Sequence, residues 1–155
     1  MRGAEIERKF LVQGSAWEAE SEGGRSIRQY YLASHDRVSI RVRIEDDERA
    51  SITIKSGAAS LSRSEFEYSI PLADAVALAM LRRGSIIEKR RHDIRRGGAH
   101  WEIDVFAGDL AGLVLCEIEL PDEKARFDRP AWLGREVTGD PTYYNARLAG
   151  ADVDA

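Results

Sequence analysis
Three of the segments with strand-like alternation carry two glutamates two residues apart, Glu5 with Glu7, Glu65 with Glu67, and Glu117 with Glu119; a fourth carries Glu102 with Asp104. In an extended chain such pairs share a face, because successive side chains alternate across a strand. Like charges on one sheet face repel. A divalent cation offsets that repulsion directly, since hard cations take oxygen ligands. Basic residues show related spacing, in Arg37, Arg41 and Arg43, in Lys55 and Arg63, and in Lys89 with Arg91. Clustered bases need an anion, and guanidinium forks match phosphate oxygens. These residue types and spacings suit a polyanion held by bases and by metal ions on carboxylates.

The elements that must position these groups are strands. Period-two alternation between Gly and Pro punctuation predicts eight, near 4–12, 27–32, 37–45, 50–56, 63–70, 86–95, 100–106 and 113–120. In the third, Arg41 and Arg43 oppose Val38, Ile40, Val42 and Ile44, a clean apolar face that needs a cover. Helices are few: a short one near 15–21 with Ser15 and Glu18 as a capping box, one over 71–83 with Leu72, Val76, Ala79 and Met80 at helical spacing, and one from Asp140-Pro141 to about Leu148. The stretch 122–138 reads as irregular or partly helical. The expected fold is mostly β (α+β): an eight-stranded antiparallel closed barrel with a charged lumen and a few helices packed outside. This inverts the usual small barrel, whose interior is filled with apolar side chains.

The chain has 155 residues, 32% charged and 43% hydrophobic, with a net charge of −4. That length suits a single domain over 1–155 with its own core. The net charge argues against a nucleic-acid coat protein. No segment has the pattern of a signal peptide or a membrane span, so a cytoplasmic protein without membrane or nucleic-acid partners is expected. Cys116, the sole cysteine, rules out an internal disulfide and falls on an apolar face, where it reads as a packed core thiol. His35, His92 and His100 lack metal-site spacing. Gly23-Gly24 and Gly97-Gly98 read as turns rather than phosphate loops. Trp17, Trp101 and Trp132 read as packing residues.

Glu5-Ile6-Glu7-Arg8-Lys9-Phe10 resembles the Glu-x-Glu-x-Lys signature of the CYTH, or triphosphate tunnel metalloenzyme, superfamily. The rest of the chain agrees in order: Arg41-Val-Arg43, Thr53-Ile-Lys55, Arg63 with Glu65-Phe-Glu67, Lys89-Arg-Arg91, Trp101-Glu-Ile-Asp104, Cys116-Glu117-Ile-Glu119, and Trp132 through Thr138 with Tyr144-Asn145. The resemblance implies an eight-stranded tunnel acting on a triphosphate with Mg²⁺ or Mn²⁺, and the short bacterial members lean towards inorganic tripolyphosphate. On that reading Lys9, Arg41, Arg43, Lys55, Arg63, Lys89 and Arg91 grip phosphate oxygens. Glu5, Glu7 and Glu119 hold a metal, and Asp104 with Glu117 or Glu119 holds a second that activates water. The catalytic set is Glu5, Glu7, Lys9, Asp104 and Glu119, with Glu65 and Glu67 supporting. No side-chain nucleophile is needed, because phosphoryl transfer is chiefly positioning and electrostatics.

Other activities fit the same resemblance: thiamine triphosphatase, which would want an aromatic group at the tunnel mouth, nucleoside triphosphatase, or a class IV-type adenylyl cyclase. A reading from another class is a non-catalytic polyphosphate-binding module, which gains nothing from so many carboxylates. A homodimer is suggested by family analogy alone.

Overall fold
The charged and apolar residues alternate along strands as the sequence requires, and the strands join one sheet of nine. The structure is a computed structural model that describes residues 6–35, 37–56 and 64–151. The strands are β1 (Ile6–Val12), β2 (Gly24–Ser34), β3 (Val38–Glu45), β4 (Arg49–Ser56), β5 (Glu65–Ile70), β6 (Arg83–Arg96), β7 (Ala99–Phe106), β8 (Val114–Leu120) and β9 (Leu133–Glu136). They hydrogen-bond in the order β5-β4-β3-β2-β6-β7-β8-β1-β9. The mostly-β antiparallel class is as expected, with one strand more. That strand, β9, lies in the stretch expected to be irregular. The chain divides into two units, Met1–Arg25 with Arg90–Asp140, and Ser26–Lys89 with Pro141–Ala155.

In the first unit, one face of β1, β7 and β8 is apolar. Phe10, Trp101, Ile103, Cys116 and Ile118 pack there with Trp17, Ile94 and Trp132. The Trp101 and Trp132 rings meet edge to face with centroids 5.4 Å apart. All three tryptophans are buried in this core, as packing residues should be. Cys116 lies here too, and burial, aided by the nearby Glu117 charge, pushes its thiol up to about 12. It is a core residue and not a thiolate.

β9 is fastened to β1 by charge. Arg8 donates to Glu136 through Nε at 2.8 Å and Nη2 at 2.6 Å, and Thr138 Oγ1 donates to the same carboxylate at 2.7 Å. The Arg8 hydrogen bonds, opposed by burial and helped by Thr138, bring the Glu136 carboxyl from 4.5 down to about 2. A depressed carboxyl stabilises the fold above its unfolded pKa, and the benefit is lost as pH falls through the folded value. Glu136→Gln should therefore lower stability near neutral pH. Its deficit relative to the wild type should shrink as pH drops from 4.5 towards 2, as read from denaturant melts at stepped pH.

In the second unit, helix α1 (Leu72–Leu78) supplies the cover that the apolar face of β3 needs. Tyr30, Val42, Ile44, Ala50 and Ala75 are buried together, flanked by Ile52, Leu72, Leu78 and Ala79. The Tyr30 hydroxyl donates to the Ala75 carbonyl. The face turned to the sheet differs from the expected one. Ala75 is the buried residue of α1, while Val76 and Met80 are 58% and 84% exposed. The helix is also shorter than 71–83, since a 3-10 turn at Ala79–Leu81 ends it. Gly84 has φ +75°, and a side chain there would overlap the Ala149 carbonyl. That carbonyl instead accepts from Ser85 N at 2.7 Å, tying β6 to the end of helix α2 (Asn145–Leu148). Around 15–21 the chain forms a 3-10 turn, Ala16–Glu20, with no side-chain cap from Ser15.

Candidate active site
Register decides which charged groups face each other. In the first unit β1 pairs with β8 so that Glu7 lies opposite Glu119 and Lys9 opposite Glu117. β7 pairs with β8 so that Glu102 also lies opposite Glu117. Glu7, Lys9, Glu102, Asp104, Glu117 and Glu119 thus share the face away from the aromatic core, as alternation predicts. Three bases offset the carboxylates here. Lys9 Nζ is 3.4 Å from Glu117, and Arg91 lies 3.3 Å from Glu102. Arg25 reaches Asp93 at 2.6 Å and Glu102 at 3.2 Å. Glu102 is half-buried and paired.

The strongest pair is Arg91 with Asp104. Nε and Nη2 donate to the two carboxylate oxygens at 2.8 and 2.9 Å, a bidentate fork. Both residues are buried, 9% and 6% exposed. Burial works to lower the Arg91 pKa, but the hydrogen bonds to Asp104, its charge, and those of Glu102 and Glu117 outweigh it and raise the value above normal. The predicted phosphate-binding residue Arg91 and the predicted metal ligand Asp104 therefore hold each other.

Glu7 and Glu119 face each other directly across two strands. Their carboxylate oxygens are the kind of ligand that hard divalent ions take. Among the described residues, no three His, Cys, Asp or Glu side chains converge as a complete ligand set. Glu5 and Arg63 lie outside the described residues. His92 packs edge-on against Trp17 at 4.9 Å and bonds Ser21, and burial lowers its pKa. His100 pairs with Asp93 at 2.8 Å.

The second unit carries the other bases. Tyr31, Arg41, Thr53 and Glu67 lie opposite one another along one row, and Gln29, Arg43 and Ser51 along the next. Lys55 lies between Ser39 and Glu65. Arg41 reaches Thr53 Oγ1 at 3.4 Å, while its Nε is buried with no acceptor among the described residues. An orphaned buried guanidinium nitrogen is costly and calls for an acceptor beyond the described residues. On β6, Lys89 is 3% exposed, with Asn145 Oδ1 of α2 at 3.5 Å. Arg37 is exposed before β3, as a solvated strand-start residue should be.

The profile of the CYTH domain matches residues 3–144. The chain belongs to the CYTH family. It is 44% identical over 147 residues to an inorganic triphosphatase of Acetivibrio thermocellus, covering 94% of this chain and 93% of that one. It is 38% identical over 149 residues to an inorganic triphosphatase of Nitrosomonas europaea, covering 94% and 96%. The crystal structure of the inorganic triphosphatase NE1496 superposes with a TM-score of 0.73 at 35% identity over 94% of both chains.

The charge pattern of the sequence does not signal three residues on these charged faces. Arg25 follows a Gly-Gly turn and so was read outside any strand, Asp93 ends a strand already credited with bases, and Gln29 has no charge to reveal it. The spacing Ile27, Gln29, Tyr31, a lone amide on an otherwise apolar alternation, was the available signal.

Proposed function
We propose that this CYTH protein hydrolyses inorganic tripolyphosphate to pyrophosphate and phosphate, with Mg²⁺ or Mn²⁺. The observation that carries the reading is the buried base set of the second unit, Arg41 with its orphaned Nε and the deeply placed Lys89. The two curated relatives are both inorganic triphosphatases, which supports the choice of substrate.

Arg41, Arg43, Lys55 and Lys89, with Arg63, bind the triphosphate oxygens and neutralise charge as it develops on the leaving pyrophosphate. Glu7 and Glu119, with Glu5, hold the metal. Mg²⁺ is commonly held by one or two carboxylates together with substrate phosphates and waters, so an incomplete protein ligand set fits it. When bound, the metal lowers the pKa of water and screens phosphate charge. Lys9 and Arg91, paired with Glu117 and Asp104 in the resting protein, turn towards the phosphates as substrate arrives. Asp104 and Glu117 would be the carboxylates that hold a second ion. Glu65 and Glu67 steer Lys55 and Arg41, which lie in the same rows. The burial of all three tryptophans removes them as a platform for a thiamine or adenine ring, which favours the inorganic substrate.

Phosphate release should be compared for tripolyphosphate, ATP, thiamine triphosphate and pyrophosphate, with Mg²⁺, Mn²⁺ and chelator. Tripolyphosphate should be hydrolysed fastest, and chelator should stop it. Turnover that survives chelation would remove the metal from the scheme. A preference for ATP would move the assignment to a nucleotide enzyme, and tight binding without any hydrolysis would make the protein a polyphosphate-binding module.

A further inference from the structure
Gln29 is fully buried on β2, on the face that carries the bases of β3. Its Oε1 accepts from Arg43 twice, from Nε at 3.0 Å and from Nη2 at 2.8 Å. A guanidinium offers only donors, so the amide must turn its oxygen to Arg43 and its NH₂ group away. That Nε2 has no acceptor among the described residues, and neither does Arg41 Nε on the same face. The two bases are neighbours at i and i+2 on β3, and Gln29 lies directly opposite Arg43. Two buried orphan donors on one face form a pattern that folding alone would not retain, because each is costly without a partner.

The choice of an amide is itself informative. A glutamate at 29 would grip Arg43 at least as well but would cancel its charge. A glutamine fixes the guanidinium, leaves its positive charge whole, and adds a neutral donor beside it. The ligand chemistry that uses all three groups is a dense cluster of anionic oxygens, each able to accept several hydrogen bonds.

We propose that Gln29 is a substrate-binding residue: its Oε1 positions Arg43, and its Nε2 donates directly to a phosphate oxygen of the triphosphate that Arg41 also contacts. This rests on the triphosphate reading above.

The test is calorimetric titration of the full chain with tripolyphosphate in chelator, where no turnover occurs. It compares the wild type with Gln29→Met, Arg43→Met, the double variant and Arg41→Ala, each shown to be folded by its melting curve. Gln29→Met should weaken binding at least tenfold. It should still weaken binding about fivefold or more in the Arg43→Met background, because Nε2 acts on its own account. If the second substitution costs nothing once Arg43 is gone, Gln29 only positions Arg43 and direct contact is overturned. If Arg41→Ala and Arg43→Met both bind like the wild type, the phosphate reading of this face fails, and Gln29 falls with it. Loss in those two with wild-type binding by Gln29→Met overturns the inference alone. Should Gln29→Met not fold, Gln29→Ala gives the same comparison.

Discussion

Glu7→Gln is expected to lower turnover of tripolyphosphate by about two to three orders of magnitude, the size typical of removing one charge-stabilising group from a phosphoryl- or acyl-transfer site. The substitution keeps size and hydrogen bonding and removes only the negative charge. Glu7 lies opposite Glu119, so the wild type confronts two carboxylates across adjacent strands. The variant should gain less thermal stability than the wild type when Mg²⁺ or Mn²⁺ is added, because ligand stabilisation follows affinity for the native state. Activity assays and paired melts with and without metal read both effects. Full turnover in Glu7→Gln would show that β1 does not carry the metal. Glu5→Gln, two residues earlier on the same alternation, should behave likewise.

Most of this arrangement was legible because alternation is a geometric property of strands. Arg41 and Arg43 against Val42 and Ile44 fixed both the face and its cover, and the register that sets Glu7 against Glu119 joins segments that each announced a paired charge. What stayed hidden depends on three-dimensional neighbours. Ala75, not Val76, faces the sheet, since a short helix started by Pro71 sets its own phase and a small residue packs closest. β9 is four residues long, and it pairs with β1 through a shifted register and the Arg8–Glu136 pair, which no local pattern signals. Lys9, Arg25 and Arg91 stand among the carboxylates, because a face with that many like charges needs cations whether or not a ligand is present. Gln29 carries no charge, so a reading keyed to charge passed over it.

Asp104→Ala should destabilise the protein by about 3–5 kcal/mol, the usual result of removing one partner from a buried ion pair. The loss is large because Arg91 is left with its charge and its donors in a buried position, with Glu102 at 3.3 Å and the more distant Glu117 charge in place of the fork. Replacing both residues, Arg91→Met with Asp104→Leu, removes the pair without stranding either charge and should cost much less. Urea melts of the two variants give the comparison, and the asymmetry between them is the expected signature. Activity then separates support from chemistry. The double variant should be folded yet slow on tripolyphosphate, because the proposed exchange of Arg91 from Asp104 to phosphate has lost both of its ends. If Asp104→Ala melts like the wild type, the fork is not what holds this wall. If the double variant turns over substrate at the wild-type rate, Arg91 and Asp104 serve the fold alone, and the second ion has no place on β7.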